Sequence, residues 1–139
     1  MRRPLTRLAS VALVVLLAAG AAPAEERETA AIAAADAWLA LVDAGQYEAS
    51  WLRSASLLRN AVSTEQWAES VNAARGAFGS FVSREVVSAD FQTSLPGAPD
   101  GEYVVIRYRA TFEKKQAALE TVTPMREDSA WKVAGYYIR

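Results

Sequence analysis

A chain of 139 residues with fifteen cationic and sixteen acidic side chains, no cysteine and no histidine, has room for one ordinary domain once its first part is set aside. Without cysteine there is no disulfide, thiol nucleophile or zinc-thiolate site; without histidine there is no serine-triad base and no imidazole metal ligand. Acid-base chemistry would fall to a carboxylate, a lysine or a tyrosine of displaced pKa, and the residue set calls for no metal and no cofactor.

Residues 1–24 read as a cleaved secretory signal. Arg2, Arg3 and Arg7 lead an apolar run from Leu8 to Ala19, and Ala22-Pro23-Ala24 places small residues at the cleavage point. The run is about a dozen residues, short of the roughly 20 that a spanning helix needs, so the membrane is met only through this signal before cleavage. The single domain expected over 25–139 is periplasmic or secreted. It keeps all sixteen acids and loses three cations, leaving twelve cations and a net charge of −4. Such a surface has no electrostatic reason to seek nucleic acid or anionic lipid.

Three helices are expected first. Residues 29–44 place Ile32, Ala35, Leu39 and Val42 at helical spacing, behind Glu25, Glu26 and Glu28 at the positive end of the dipole, and Gly45 supplies a left-handed stop. A second helix carries Tyr47, Trp51, Leu58 and Val62 on one side. The third opens on a capping box, Ser63 with Gln66, inside a hydrophobic staple of Val62 and Trp67, and ends near Phe78. "LVDAGQYEASW" resembles one tetratricopeptide hairpin, but a solenoid needs about three repeats to bury a core, so an αα-hairpin is the better reading.

Beyond Gly79 the apolar period falls to two. Val87, Ala89 and Phe91 are expected on one face of a first strand, with Arg84, Ser88, Asp90 and Gln92 on the other. Val104, Ile106, Tyr108, Ala110 and Phe112 line the covered face of a second, with Arg107, Arg109 and Glu113 in water. A third strand contains Pro124, which cannot donate to a ladder and belongs at a bulge or an edge. In the fourth, Trp131, Val133 and Tyr137 share a face. Residues 95–101, rich in Pro and Gly, read as the first hairpin connection, long enough to serve also as the rim of a site. Helices then strands give an α+β class: three helices on one face of a curved four-stranded antiparallel meander.

Four segments carry a family resemblance: "WLALVDAGQYEASW" (38–51), "SLPGAPDGEYVVI" (94–106), "ETVT" (120–123) and "WKVAGYYIR" (131–139). Together they resemble the small exported bacterial proteins grouped as domain of unknown function 4019, which brings no catalytic residues. The turn Asp128-Ser129-Ala130 departs from the family's Asp-Gly and implies a wider or differently typed hairpin. The element order is similar to the cone-shaped fold of nuclear transport factor 2 and ketosteroid isomerase, a superfamily of isomerases, dehydratases, binding modules and dimerisation domains among which fold cannot choose.

The candidate pocket lining is aromatic: Trp38, Tyr47, Trp51, Trp67, Tyr108 and Trp131, all on helix-sheet faces and all equally fit to fill a core or to wall a cavity for a small apolar ligand. Asp90 and Glu120 are the only mid-strand acids, expected as surface or cross-strand partners of Arg107 and Arg109. The uncovered face, bearing Arg107, Arg109, Tyr136 and Ile138, is the expected seat of a homodimer. The reading is an exported, non-enzymatic binding or interaction module. The alternative is a cofactor-free isomerase or dehydratase with a buried carboxylate in an aromatic pocket. A hollow interior above such an acid favours the enzyme, and a filled one the interaction module.

Overall fold

The structure, a computed structural model, describes residues 23–139; of the expected leader only Pro23 and Ala24 fall among them. Helix α1 runs Ala24–Asp43, starting five residues earlier than the apolar spacing implied, with Glu25 and Glu26 in its first turn. It ends as a Schellman motif, because Gly45 takes φ +74° and lets two backbone bonds close the helix. The Gly45 amide donates to the Val42 carbonyl at 3.0 Å and the Gln46 amide to that of Leu41 at 2.9 Å.

The expected second helix is two short ones, α2 (Tyr47–Arg53) and α3 (Ser56–Ala61), so among the described residues four α-helices precede the sheet. A local bond from Ser54 Oγ to the Ser50 carbonyl at 2.8 Å joins tertiary partners in stopping the helix. At the break, Ser54 Oγ accepts from Trp38 Nε1 at 3.0 Å. The Ala55 amide donates to the carbonyl of Val133 at 2.8 Å. Glu127 then accepts from both the amide and the hydroxyl of Ser56, each at 2.8 Å, capping α3 with a carboxylate 71 residues away. Helix α4 (Thr64–Arg75) begins on the capping box as read from the sequence: Ser63 Oγ accepts from the Gln66 amide at 3.2 Å and Gln66 Oε1 from the Ser63 amide at 2.9 Å. A 3₁₀ turn, Gly76–Phe78, leads into the sheet.

Strands β1 (Phe81–Gln92), β2 (Tyr103–Phe112), β3 (Lys115–Glu127) and β4 (Ala130–Ile138) form an open antiparallel meander in the order β1-β2-β3-β4. The helices cover one face, so the class is α+β as expected. Strand β2 keeps the period read from its sequence: Val104, Ile106, Tyr108, Ala110 and Phe112 are buried, Arg107 and Arg109 exposed.

The flanking strands break period at bulges. Val86 pairs with Tyr108 and Ser88 with Arg107, leaving Val87 unpaired. The extra residue reverses side-chain parity. Ala89 and Phe91 pack on the core as expected, but Val87, assigned to that face, is 53% exposed. Arg84, assigned to water, turns inward. In β4, Thr123 pairs with Gly135 and Pro124 with Val133, so Ala134 is the extra residue and Pro124 sits opposite the bulge. Trp131 and Val133 therefore face the helices, and so do Tyr136 and Ile138, which the sequence placed outside; Tyr137, expected inside, is 61% exposed.

Of the three connections in the sheet, the first and the last bear on the sequence reading. In the first, the Ala98 amide donates to Leu95 at 3.2 Å across Pro96-Gly97, with Gly97 at φ +76°, and Tyr103 Oη donates to the Pro99 carbonyl at 2.6 Å. The last hairpin is tighter than the family departure implied. Glu127 pairs with Ala130, and Asp128 and Ser129 take φ +50° and +65°, the two positive values of a type I′ turn.

Candidate functional site

Chemistry gathers in two places, the seam between helices and sheet and the sheet's bare face. In the seam, five elements each contribute one polar side chain to a ladder. Arg75 of α4 donates to Asp43 of α1 at 2.7 Å. Arg84 of β1 donates to both oxygens of Asp43, at 2.6 and 3.0 Å, and through Nε to Glu120 Oε1 of β3 at 2.8 Å. Tyr136 of β4 donates to Glu120 Oε2 at 2.5 Å. Two guanidiniums balance two carboxylates. Such a set holds its geometry because each charge, once out of water, is stable only with its partner present.

Glu120 overturns the expectation that it pairs with Arg107 or Arg109 on the surface. It is fully buried, and its partners are Arg84 and Tyr136. Asp90 does reach Arg107, at 3.4 Å on the exposed face, and the partner of Arg109 is Glu85 at 3.2 Å. Burial lowers the Arg84 pKa, but bonds to Asp43 and Glu120 outweigh it and hold the group more firmly protonated than usual. Burial, with the charge of Glu120 beside it, raises the Tyr136 phenol far above its ordinary value. Burial and the hydrogen bond to Asp36 do the same for Tyr108. With both Glu120 oxygens engaged, neither is placed to take a proton from a bound molecule.

The six aromatics of the sequence reading all join one core cluster. Trp38 and Trp67 are buried with ring centroids 5.5 Å apart, and Tyr136 lies edge-on to both. Their indole N–H groups are spent internally: Trp38 donates to the Ser50 carbonyl at 2.9 Å as well as to Ser54, and Trp67 to Ser50 Oγ at 2.9 Å. Trp51 donates to the Val62 carbonyl at 2.9 Å, Tyr108 Oη to Asp36 at 2.8 Å, and Trp131 lies under Arg126 at 5.6 Å. Tyr47 is half-buried against the same cluster. Tyr108 also borders an open groove of about 270 Å³ between α1 and β1, with Asp36 and Asp43 on its rim.

The bare face is a grid. One row crosses the sheet as Glu85, Arg109 and Leu119, with Arg139 bonded through its backbone to Leu119. The next carries Ser88, Arg107, Thr121 and Tyr137, with the unpaired Val87 beside Ser88. Leu119 is 40% exposed, and with Val87, Tyr137 and the three arginines it lines a groove of about 360 Å³. Of the face residues read from the sequence, Arg107 and Arg109 are here; Tyr136 and Ile138 are on the opposite side, replaced by Val87, Leu119 and Tyr137. The signal for these is a one-residue break in alternation at Val87 and at Ala134-Gly135.

These features define a class: a small α+β protein whose helix-sheet seam is occupied by its own aromatic rings and paired charges, and whose sheet has one face that no helix among the described residues covers. The chain belongs to the family described as a protein of unknown function, DUF4019, whose model matches residues 34–136. No curated protein and no solved structure matches it.

Proposed function

We propose that the protein is an exported, non-enzymatic interaction module working through the bare face of its sheet, on a cone-shaped fold of the nuclear transport factor 2 kind. The observation that carries this reading is the exposure of Val87, Leu119 and Tyr137 together on a face that also bears Arg107 and Arg109. Contiguous apolar exposure of this sort is how soluble domains offer a binding surface. Export rests on the basic and apolar pattern of residues 1–24; no helix among the described residues is long and apolar enough to cross a membrane.

A photo-crosslinking residue at position 121 or 137, compared with one at the exposed Glu69 of α4, tests the surface in cells. Adducts are expected from the two sheet positions only. Adducts from position 69 with none from the sheet would sink the proposal, and cell fractionation that leaves the protein in the cytoplasm would sink the export. A second copy is one occupant such a face can take, and light scattering at high micromolar concentration reads it.

A second reading, a cofactor-free isomerase or dehydratase with Trp38, Tyr47, Trp51, Trp67, Tyr108 and Trp131 around a substrate, is favoured by one observation: Glu120 is buried and bonded to Tyr136, whose ring packs on two tryptophans. It requires the aromatic cluster to open. Native mass spectrometry of the purified protein checks it, because a stoichiometric small molecule lost in E120Q supports the enzyme and an empty spectrum supports the interaction module.

A further inference from the structure

The bare face is cationic on an acidic molecule. The described residues hold twelve cations and sixteen acids, a net charge of −4. The groove on this face nevertheless carries Arg107, Arg109 and Arg139. The two ion pairs there, Arg107 with Asp90 and Arg109 with Glu85, join side chains that are all more than half exposed. Pairs of that kind hold weakly in water and exchange readily for a better-placed carboxylate.

The spacing selects the shape of that carboxylate donor. Arg107 and Arg109 are two residues apart on one strand, which sets their stems about 7 Å apart. A single carboxylate head cannot bridge both at full strength. An extended chain with acids at alternate positions has the same repeat of about 7 Å. The groove that the guanidiniums line is lined also by Leu119, Val87 and Tyr137, so the occupant also needs apolar side chains on its contact side, flanking the acids. A two-fold copy fits less well: the carboxylates it would bring, Glu85 and Asp90, are already paired with Arg109 and Arg107 of their own face. Sheet faces pack on sheet faces with their strands nearly aligned, which lets a partner strand run along β2.

Building on the reading of the bare face as the working surface, we propose that its occupant is an extended segment of another protein with carboxylates at alternate positions and apolar side chains nearby, the carboxylates meeting Arg107 and Arg109.

The test is calorimetry on the purified protein with three synthetic heptapeptides: Leu-Thr-Glu-Thr-Glu-Thr-Leu, which when extended presents both glutamates and both leucines on one side, the same with Gln for Glu, and one with its two glutamates adjacent. The first is expected to bind, and the other two to bind about tenfold more weakly. Affinity should fall as salt rises to about 0.5 M, where charges are screened within a few ångströms. R107Q/R109Q, its fold verified by circular dichroism, should lose about tenfold, while R53Q on α2 should lose nothing. Equal binding of the Glu and Gln peptides, binding of none, or an unaffected double variant overturns the inference. A tight homodimer that buries the face and excludes peptide also overturns it, yet leaves the interaction module standing. Crosslinks from position 69 alone remove both.

Discussion

The hydroxyl of Tyr136 donates to Glu120 at 2.5 Å, and the bond exists because Ala134 bulges out of β4 and turns Tyr136 toward the helices. Glu120 is the only carboxylate on Arg84 Nε. Replacing it by alanine leaves a guanidinium in the seam with half its partners, and breaking a buried pair from one side costs about 3–5 kcal/mol. Y136F strands only one acceptor oxygen, for about 1–3 kcal/mol. Urea midpoints of the two variants should rank in that order. A smaller loss for E120A than for Y136F would mean that the ladder is not held as described.

Deleting Ala134 offers a harsher test of the same strand. Removing the extra residue restores a strict period of two and sends Tyr136 and Ile138 to the bare face, while Tyr137 swings into the seam. The expected outcome is loss of cooperative unfolding and a red-shifted tryptophan emission, since Trp38 and Trp67 lose the Tyr136 ring that packs on both.

Protonation affects the two ends of the pH scale through different groups. At Glu127, burial raises the carboxyl pKa, but the amide and hydroxyl of Ser56 and the charges of Lys132 and Arg59 outweigh it and hold the group below its usual value. A depressed carboxylate contributes stability that is present above its unfolded pKa of about 4.3 and lost as pH falls through the lower folded value. E127Q should therefore unfold at a midpoint less dependent on pH between about 3 and 5 than the parent. At the alkaline end Tyr108 and Tyr136 have raised values, so their contribution is present below the ordinary phenol pKa of about 10 and is lost as pH climbs beyond it. Of the five tyrosines, these two should stay unionised in absorbance titration until the protein unfolds. Early titration of all five would contradict the buried hydrogen bonds.

The β3–β4 turn predicts a gain. Ser129 sits at φ +65°, where an L side chain loses about 1–2 kcal/mol. S129G removes that strain at an entropic cost of about 0.4–1 kcal/mol in the unfolded chain. The net expectation is stabilisation by about 0.5–1 kcal/mol, read from the urea midpoint.

What could be read without coordinates was whatever local chemistry decides. The Gly45 stop, the Ser63-Gln66 box and the alternation of β2 are each settled by residues within a turn or a pleat, and each is where its residues put it. The helix break at Ser54 is decided jointly with Trp38, Val133 and Glu127, none of them neighbours in sequence. Unpaired residues in β1, at Val82 and Val87, and Ala134 in β4 leave the composition of those strands untouched and reverse which side chains are covered. The ladder is hidden for that reason: strict alternation sends Arg84 to water and matches Glu120 with Arg107 and Arg109, whereas its partners are Arg84 and Tyr136. The exposed face kept its arginines and exchanged its apolar members.

The outer margins of the sheet are protected by unlike means. On the β4 side the Ala55 amide already occupies the carbonyl of Val133, and on the β1 side two bulges and the inward Arg84 spoil the template that a further strand would need. Lengthening end to end into a fibre is thereby opposed at both margins, and the flat surface between them is left as the place where association costs the molecule no rearrangement.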